Sequence, residues 1–151
     1  MISNLFVYGS LMGGINSPIA TYLKKNSDFL GETRLEGILY DIGKYPGIIP
    51  ISKSGQWVKG HIFRLSNPEV MLPILDKYEG VGEGFPVPTE YVRVSTKLEF
   101  GGETIDCWVY QYNYPIDGLA IIESGDYLDY FQTNKAFQAF VQTQVNYTRH
   151  E

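Results

Sequence analysis

Short apolar runs punctuated by glycine and proline set the pattern of this chain. Leu5-Phe6-Val7-Tyr8 is apolar throughout and stops at Gly9, which reads as a buried strand opening directly into a turn. Gly13-Gly14 and Ser17-Pro18 extend that loop, and Ile19 to Lys25 suits a short helix with Pro18 near its first position. Leu35 to Ile42 reads as a strand, with Gly37 as a bulge or a point of close approach. A turn over 43–47 precedes the apolar Ile48-Ile49-Pro50-Ile51, and Trp57 to Leu65 alternates as a further strand.

A helix starts near Ser66-Asn67-Pro68-Glu69. Ser66 and Glu69 have capping-box spacing, and Asn67 before Pro68 is an equally good cap. Val70, Met71, Ile74, Leu75 and Tyr78 then fall on one helical face. Pro73 is expected to split a first turn from a short helix, Leu72 to Tyr78, which Gly80 stops. Gly80 to Pro88 holds three glycines and two prolines. It reads either as a flap with Phe85 as an apolar cap or as a plain connector. Tyr91 to Phe100 and Thr104 to Tyr112 flank Gly101-Gly102, a hairpin signal. Lys135 to Val145 carries Phe137, Phe140, Val141 and Val145 at helical spacing. Strands alternating irregularly with short helices argue against a βαβ series. They favour an α+β domain on a curled sheet or small barrel.

Composition narrows this modestly. The chain has 151 residues, of which 44% are apolar, enough for one domain over 1–151 with one core. Acidic residues outnumber basic ones 17 to 12, and no Lys/Arg cluster appears, so a nucleic-acid partner is not expected. Neither a signal peptide nor a membrane span of ~20 apolar residues is evident. Cys107 is the only cysteine. A cytoplasmic setting without membrane attachment is the expectation.

Most familiar constellations fail. His61 and His150 are far apart, Cys107 has no cysteine partner, and no zinc spacing is visible. Gly9-Ser10-Leu11-Met12-Gly13-Gly14 follows a strand, but it is neither a dinucleotide nor a phosphate-loop motif. Ser10 as nucleophile needs a base, and nothing in the sequence brings His61 to it; His61 reads as an ordinary strand histidine. Two features remain. Backbone N–H groups of the Tyr8-Gly9-Ser10-Leu11 turn leave the strand ladder and can bind a carboxylate or a developing oxyanion. Glu79, in Leu75-Asp76-Lys77-Tyr78-Glu79-Gly80, ends a short helix where a negative charge is disfavoured; on spacing alone it also reads as a solvated surface acid. Asp76 reads as an ordinary exposed acid.

The order of segments is more specific than any one of them. Val7-Tyr8-Gly9-Ser10-Leu11 is followed by LYDIGKYPGIIP (39–50), VKGHIF (58–63), LDKYEG (75–80), YVR (91–93), CWVYQY (107–112) and ESGDYLDYF (123–131). Over about Leu5 to Phe131 this resembles the γ-glutamyl cyclotransferase-like family, which includes the avirulence-induced-gene-like proteins. The resemblance implies a small mixed β-barrel with short peripheral helices. It implies a substrate loop at Tyr8, Gly9, Ser10 and Leu11, a catalytic Glu79, and release of 5-oxoproline from a small-molecule γ-glutamyl amide without cofactor or metal. Tyr91 and Tyr110, on strands late in the recognised region, are candidates to close the substrate pocket from the side. Many relatives carry a basic residue where this chain has Met12-Gly13-Gly14, and Tyr-Arg-Arg where it has Tyr91-Val92-Arg93. These departures bear on the substrate rather than the chemistry. A non-catalytic relative that binds a small carboxylate, and a different acyl transfer in the same pocket, are the competing readings. The leaving amine and the oligomeric state stay open.

Overall fold

The computed structural model describes residues 1–9, 11, 17–43 and 45–133. Five strands close a mixed barrel. They are β1 (Asn4–Val7), β2 (Ser27–Asp41), β3 (Pro46–Pro50), β4 (Trp57–Leu65) and β6 (Glu103–Tyr112). Around the barrel they run β1-β4-β2-β3-β6, and β6 returns to β1. β5 (Tyr91–Phe100) extends the sheet beyond β6, and β7 (Ala120–Ile121) adds a short pair to Tyr40 and Asp41. The helices α1 (Pro18–Lys25), α2 (Pro68–Glu79) and α3 (Tyr127–Thr133) lie around it. The expected α+β small barrel with peripheral helices is what the chain forms.

β1 is apolar and buried from Leu5 to Val7 because it is central. It pairs antiparallel with β4 and touches β6 in parallel at Leu5↔Trp108, so both of its edges are paired. Leu5, Phe6, Ile62 and Phe63 have almost no exposed surface, and burying each contributes about 1.5–3 kcal/mol. The β5–β6 hairpin turns at Gly101-Gly102 with φ of 61° and 79°, the doubly left-handed turn that a diglycine allows.

Several details differ from the sequence reading. β2 begins at Ser27, well before Leu35. Its first half sets Phe29-Leu30 among polar residues and its register shifts between Phe29 and Gly31, which hides the alternation. Gly37 is a close-approach point and no bulge, since a Cβ there would sit 2.6 Å from the Ile49 carbonyl oxygen. α2 runs unbroken through Pro73, which faces solvent. Glu69, whose carbonyl loses its bond to residue 73, is exposed, so water can replace that bond. No capping box forms: the Ser66 hydroxyl donates to the Asn26 carbonyl at 2.7 Å, and Asn67 is the cap residue without a side-chain bond. The buried face of α2 is Met71, Leu72, Leu75, Tyr78 and Glu79, while Val70 and Ile74 are exposed. The helix expected over Lys135 to Val145 lies outside the described residues.

Candidate active site

Two parallel contacts make the site. β1 and β3 both run parallel to β6, at Leu5↔Trp108 and Ile48↔Gln111. Tyr8, the residue after β1, joins all three. Its hydroxyl accepts from the Ile48 N–H at 3.2 Å and donates to the Tyr110 carbonyl at 2.6 Å. The Tyr8 hydroxyl thus holds the barrel seam, and its ring walls the cleft that opens there.

That cleft has an empty volume of about 390 Å³, mouth included. Tyr8, Gly9, Leu11, Glu79, Tyr91 and Tyr110 all line it, together with Tyr45 and Pro46. Of the residues expected at the site, Ser10 alone lies outside the described residues. Gly9 sits tight against β3, since a Cβ there would lie 3.1 Å from Pro46 Cγ. The Tyr91 hydroxyl donates to the Pro46 carbonyl at 2.6 Å, tying β5 to β3. Tyr45 packs against Tyr91 with ring centroids 6.0 Å apart, and its hydroxyl reaches the Glu90 carboxylate at 2.6 and 2.7 Å.

Glu79 is the last residue of α2 and is 9% exposed. Gly80 ends the helix in the left-handed conformation, φ 74°, a geometry that costs glycine little. Its N–H and that of Val81 reach back to the Lys77 and Asp76 carbonyls. These backbone bonds close the helix end, and Glu79 lines the cleft from it.

Asp76 is no ordinary exposed acid. It is 19% exposed, accepts two bonds from Arg93 at 2.7 and 3.1 Å, and accepts the Tyr110 hydroxyl at 2.7 Å. Burial, then the Asp76 and Glu79 carboxylates, push the Tyr110 pKa well above 10, against a smaller pull from Arg93. Tyr110 therefore keeps its proton. Burial opposes the Arg93 charge, but the Asp76 pairing outweighs it and raises the Arg93 pKa.

The remaining candidates fall elsewhere. His61 lies in a separate groove, with Nε2 3.6 Å from Glu32 Oε1. Cys107 is fully buried in β6, and burial with Asp106 pushes its thiol up to about 12, so it is inert at neutral pH. Phe85 is half-buried and is not among the described residues lining the cleft. Among the described residues no cluster of three or more His, Cys, Asp or Glu can hold a metal ion, and no helix is long and apolar enough to cross a membrane.

A family model described as gamma-glutamyl cyclotransferase, AIG2-like, matches residues 5–129. The chain belongs to this family. It is 33% identical over 126 residues to the gamma-glutamylcyclotransferase family protein YtfP of Escherichia coli (strain K12), covering 83% of this chain and 96% of that protein. It is 35% identical over 125 residues to a putative gamma-glutamylcyclotransferase of Vibrio cholerae serotype O1, covering 82% and 93%. The solution NMR structure of the Escherichia coli ytfP protein matches with a TM-score of 0.58 at 30% identity, over 84% of this chain and 97% of that one.

Proposed function

We propose that this protein is a γ-glutamyl cyclotransferase that releases 5-oxoproline and a free amine from a γ-glutamyl amide, with Glu79 as its acid/base. The observation that carries this reading is the convergence of a buried carboxylate, the Tyr8–Gly9 turn and two strand tyrosines on one cleft. In the reaction the substrate's α-amine attacks its own γ-carbonyl. A carbon–nitrogen bond forms to close the five-membered ring, and the bond from that carbon to the departing amine breaks. Glu79 takes the proton from the attacking amine and returns it to the leaving nitrogen, so one carboxyl serves both steps.

The tethered nucleophile gives a high effective molarity once the chain is bent. The cleft's task is to bend it and exclude water. Tyr8 and Tyr91 suit that task, because both donate their hydroxyl protons to backbone carbonyls and so stand as fixed walls. The backbone at Gly9 and Leu11 is the part of the turn left to receive a carboxylate or the developing oxyanion. Incubation with a panel of γ-glutamyl amines and peptides tests the reading. 5-Oxoproline as product supports it; free glutamate as sole product, or binding of 5-oxoproline without turnover of any substrate, overturns it.

A further inference from the structure

Asp76 and Glu79 stand three residues apart on α2, so their side chains leave neighbouring positions on one helical face. A bare charge at Asp76 would therefore stand within one helical turn of Glu79. Asp76 does not stand as a bare charge, however. Arg93 of β5 donates Nε to Oδ1 at 2.7 Å and a terminal nitrogen to Oδ2 at 3.1 Å. That fork fixes the plane of the carboxylate as well as neutralising it. Tyr110 of β6 donates its hydroxyl to the same Oδ1 at 2.7 Å. Arg93 and Tyr110 are directly opposed in the β5–β6 ladder, so the sheet delivers both donors to one acceptor. The guanidinium also lies over the Trp108 ring, 4.3 Å from its centroid. Asp76 and Arg93 are 19% and 21% exposed, so water screens the pair only in part.

We propose that Arg93 is a positioning residue of this site: it cancels the Asp76 charge one helical turn from Glu79 and locks Asp76 as the acceptor that aims the Tyr110 hydroxyl. The inference rests on the reading of Glu79 as the acid/base. With its proton committed to Asp76, Tyr110 turns its oxygen lone pairs to the cleft, where they accept from the substrate amine or from protonated Glu79. Among the described residues the other titratable groups on the cleft wall are Tyr8 after β1, Tyr45 before β3 and Tyr91 on β5, with Glu90 behind Tyr45. Lys77, also on α2, is exposed. Without Arg93, an uncompensated Asp76 charge would stand one helical turn from Glu79 and favour its protonated form.

The test is a carbon-13 NMR titration of the Glu79 carboxyl in the wild type, Arg93→Gln, Asp76→Asn and the double variant. Arg93→Gln should raise the Glu79 midpoint by about one pH unit. Asp76→Asn leaves Arg93 uncompensated and should lower it by a similar amount. The double variant should return to within about 0.3 unit of the wild type. Arg93→Lys keeps the charge and loses the fork. It should leave the midpoint unmoved while slowing kcat for 5-oxoproline release about tenfold at unchanged KM. Midpoints identical in the wild type and the folded single variants overturn the proposal, and Asp76→Asn, which preserves shape, decides the matter alone if Arg93→Gln does not fold. The titration needs no turnover, so absence of 5-oxoproline from the wild-type protein is a separate result that counts against the reaction and not against the charge balance.

Discussion

Two concave regions of the barrel hold their polar groups in opposite ways. The Glu79 cleft has about 390 Å³ of empty space. The groove that includes Glu32, Lys59, His61 and Asp126 has about 970 Å³ by the same measure. The groove is larger and more richly charged, yet its pairs are loose. Lys59 is 3.7 Å from Asp126 with two-thirds of its side chain exposed, and Glu32 is 82% exposed. Charges held in water are screened and impose little geometry. In the cleft, the Tyr8, Tyr91 and Tyr110 hydroxyls each make a bond of 2.6–2.7 Å to a fixed acceptor. Pre-set dipoles in a dry wall are what a developing charge can use. The two regions thus differ in fixed orientation, and neither volume nor the number of charges separates them in the same way.

Substitutions break that contrast most sharply at Glu79. Glu79→Gln should keep the fold and lose turnover by ~10²–10⁴, the span of a general acid/base; near-normal rates would remove Glu79 from the mechanism. Gly9→Val comes next. Its side chain would strike Pro46 and fill the turn, weakening 5-oxoproline binding by about tenfold or more in calorimetry. Unchanged affinity in the folded variant would contradict the cradle. In the groove the effects are on stability. Burial pushes the His61 pKa below its ordinary value of 6.5, against the pull of Glu32. The unfolded chain therefore binds that proton first. The contribution of neutral His61 is full above about pH 6.5 and declines as the pH falls from there toward the lower folded value. Urea unfolding of wild type and His61→Gln should show the wild-type advantage shrinking between neutral and acid pH; a constant difference would contradict the assignment. Glu32→Gln should be the mildest change, leaving turnover untouched, because its carboxylate is solvated and far from the cleft's hydrogen bonds.

The sequence made the two ends of the site legible and hid its middle. Gly9 after an apolar run and Gly80 after Glu79 are local signals, so the turn and the helix end were placed to within a residue. Asp76 was not, because its partners lie 17 and 34 residues away in the chain, and an isolated acid has exposure as its default. The signal available was its spacing from Glu79, which puts both on one helical face. Tyr45 and Pro46 were read as a turn, since nothing local shows that β3 would bring them to the cleft. The apolar pattern of α2 spans two adjacent stripes. Which one is buried depends on where the barrel stands, and the stripe containing Val70 and Ile74 is the exposed one. The first half of β2 escaped because adjacent Phe29-Leu30 and the register shift after them leave no period-2 signal.

Oxygen labelling addresses the central claim most directly. The wild-type protein would turn over its best γ-glutamyl amine in water enriched in oxygen-18, with products read by mass. Attack by the substrate's own amine brings no solvent oxygen to the γ-carbon, so the account predicts unlabelled 5-oxoproline and no glutamate. Glutamate carrying one solvent oxygen, or 5-oxoproline labelled by way of it, would show that water is the nucleophile and would contradict ring closure in this cleft.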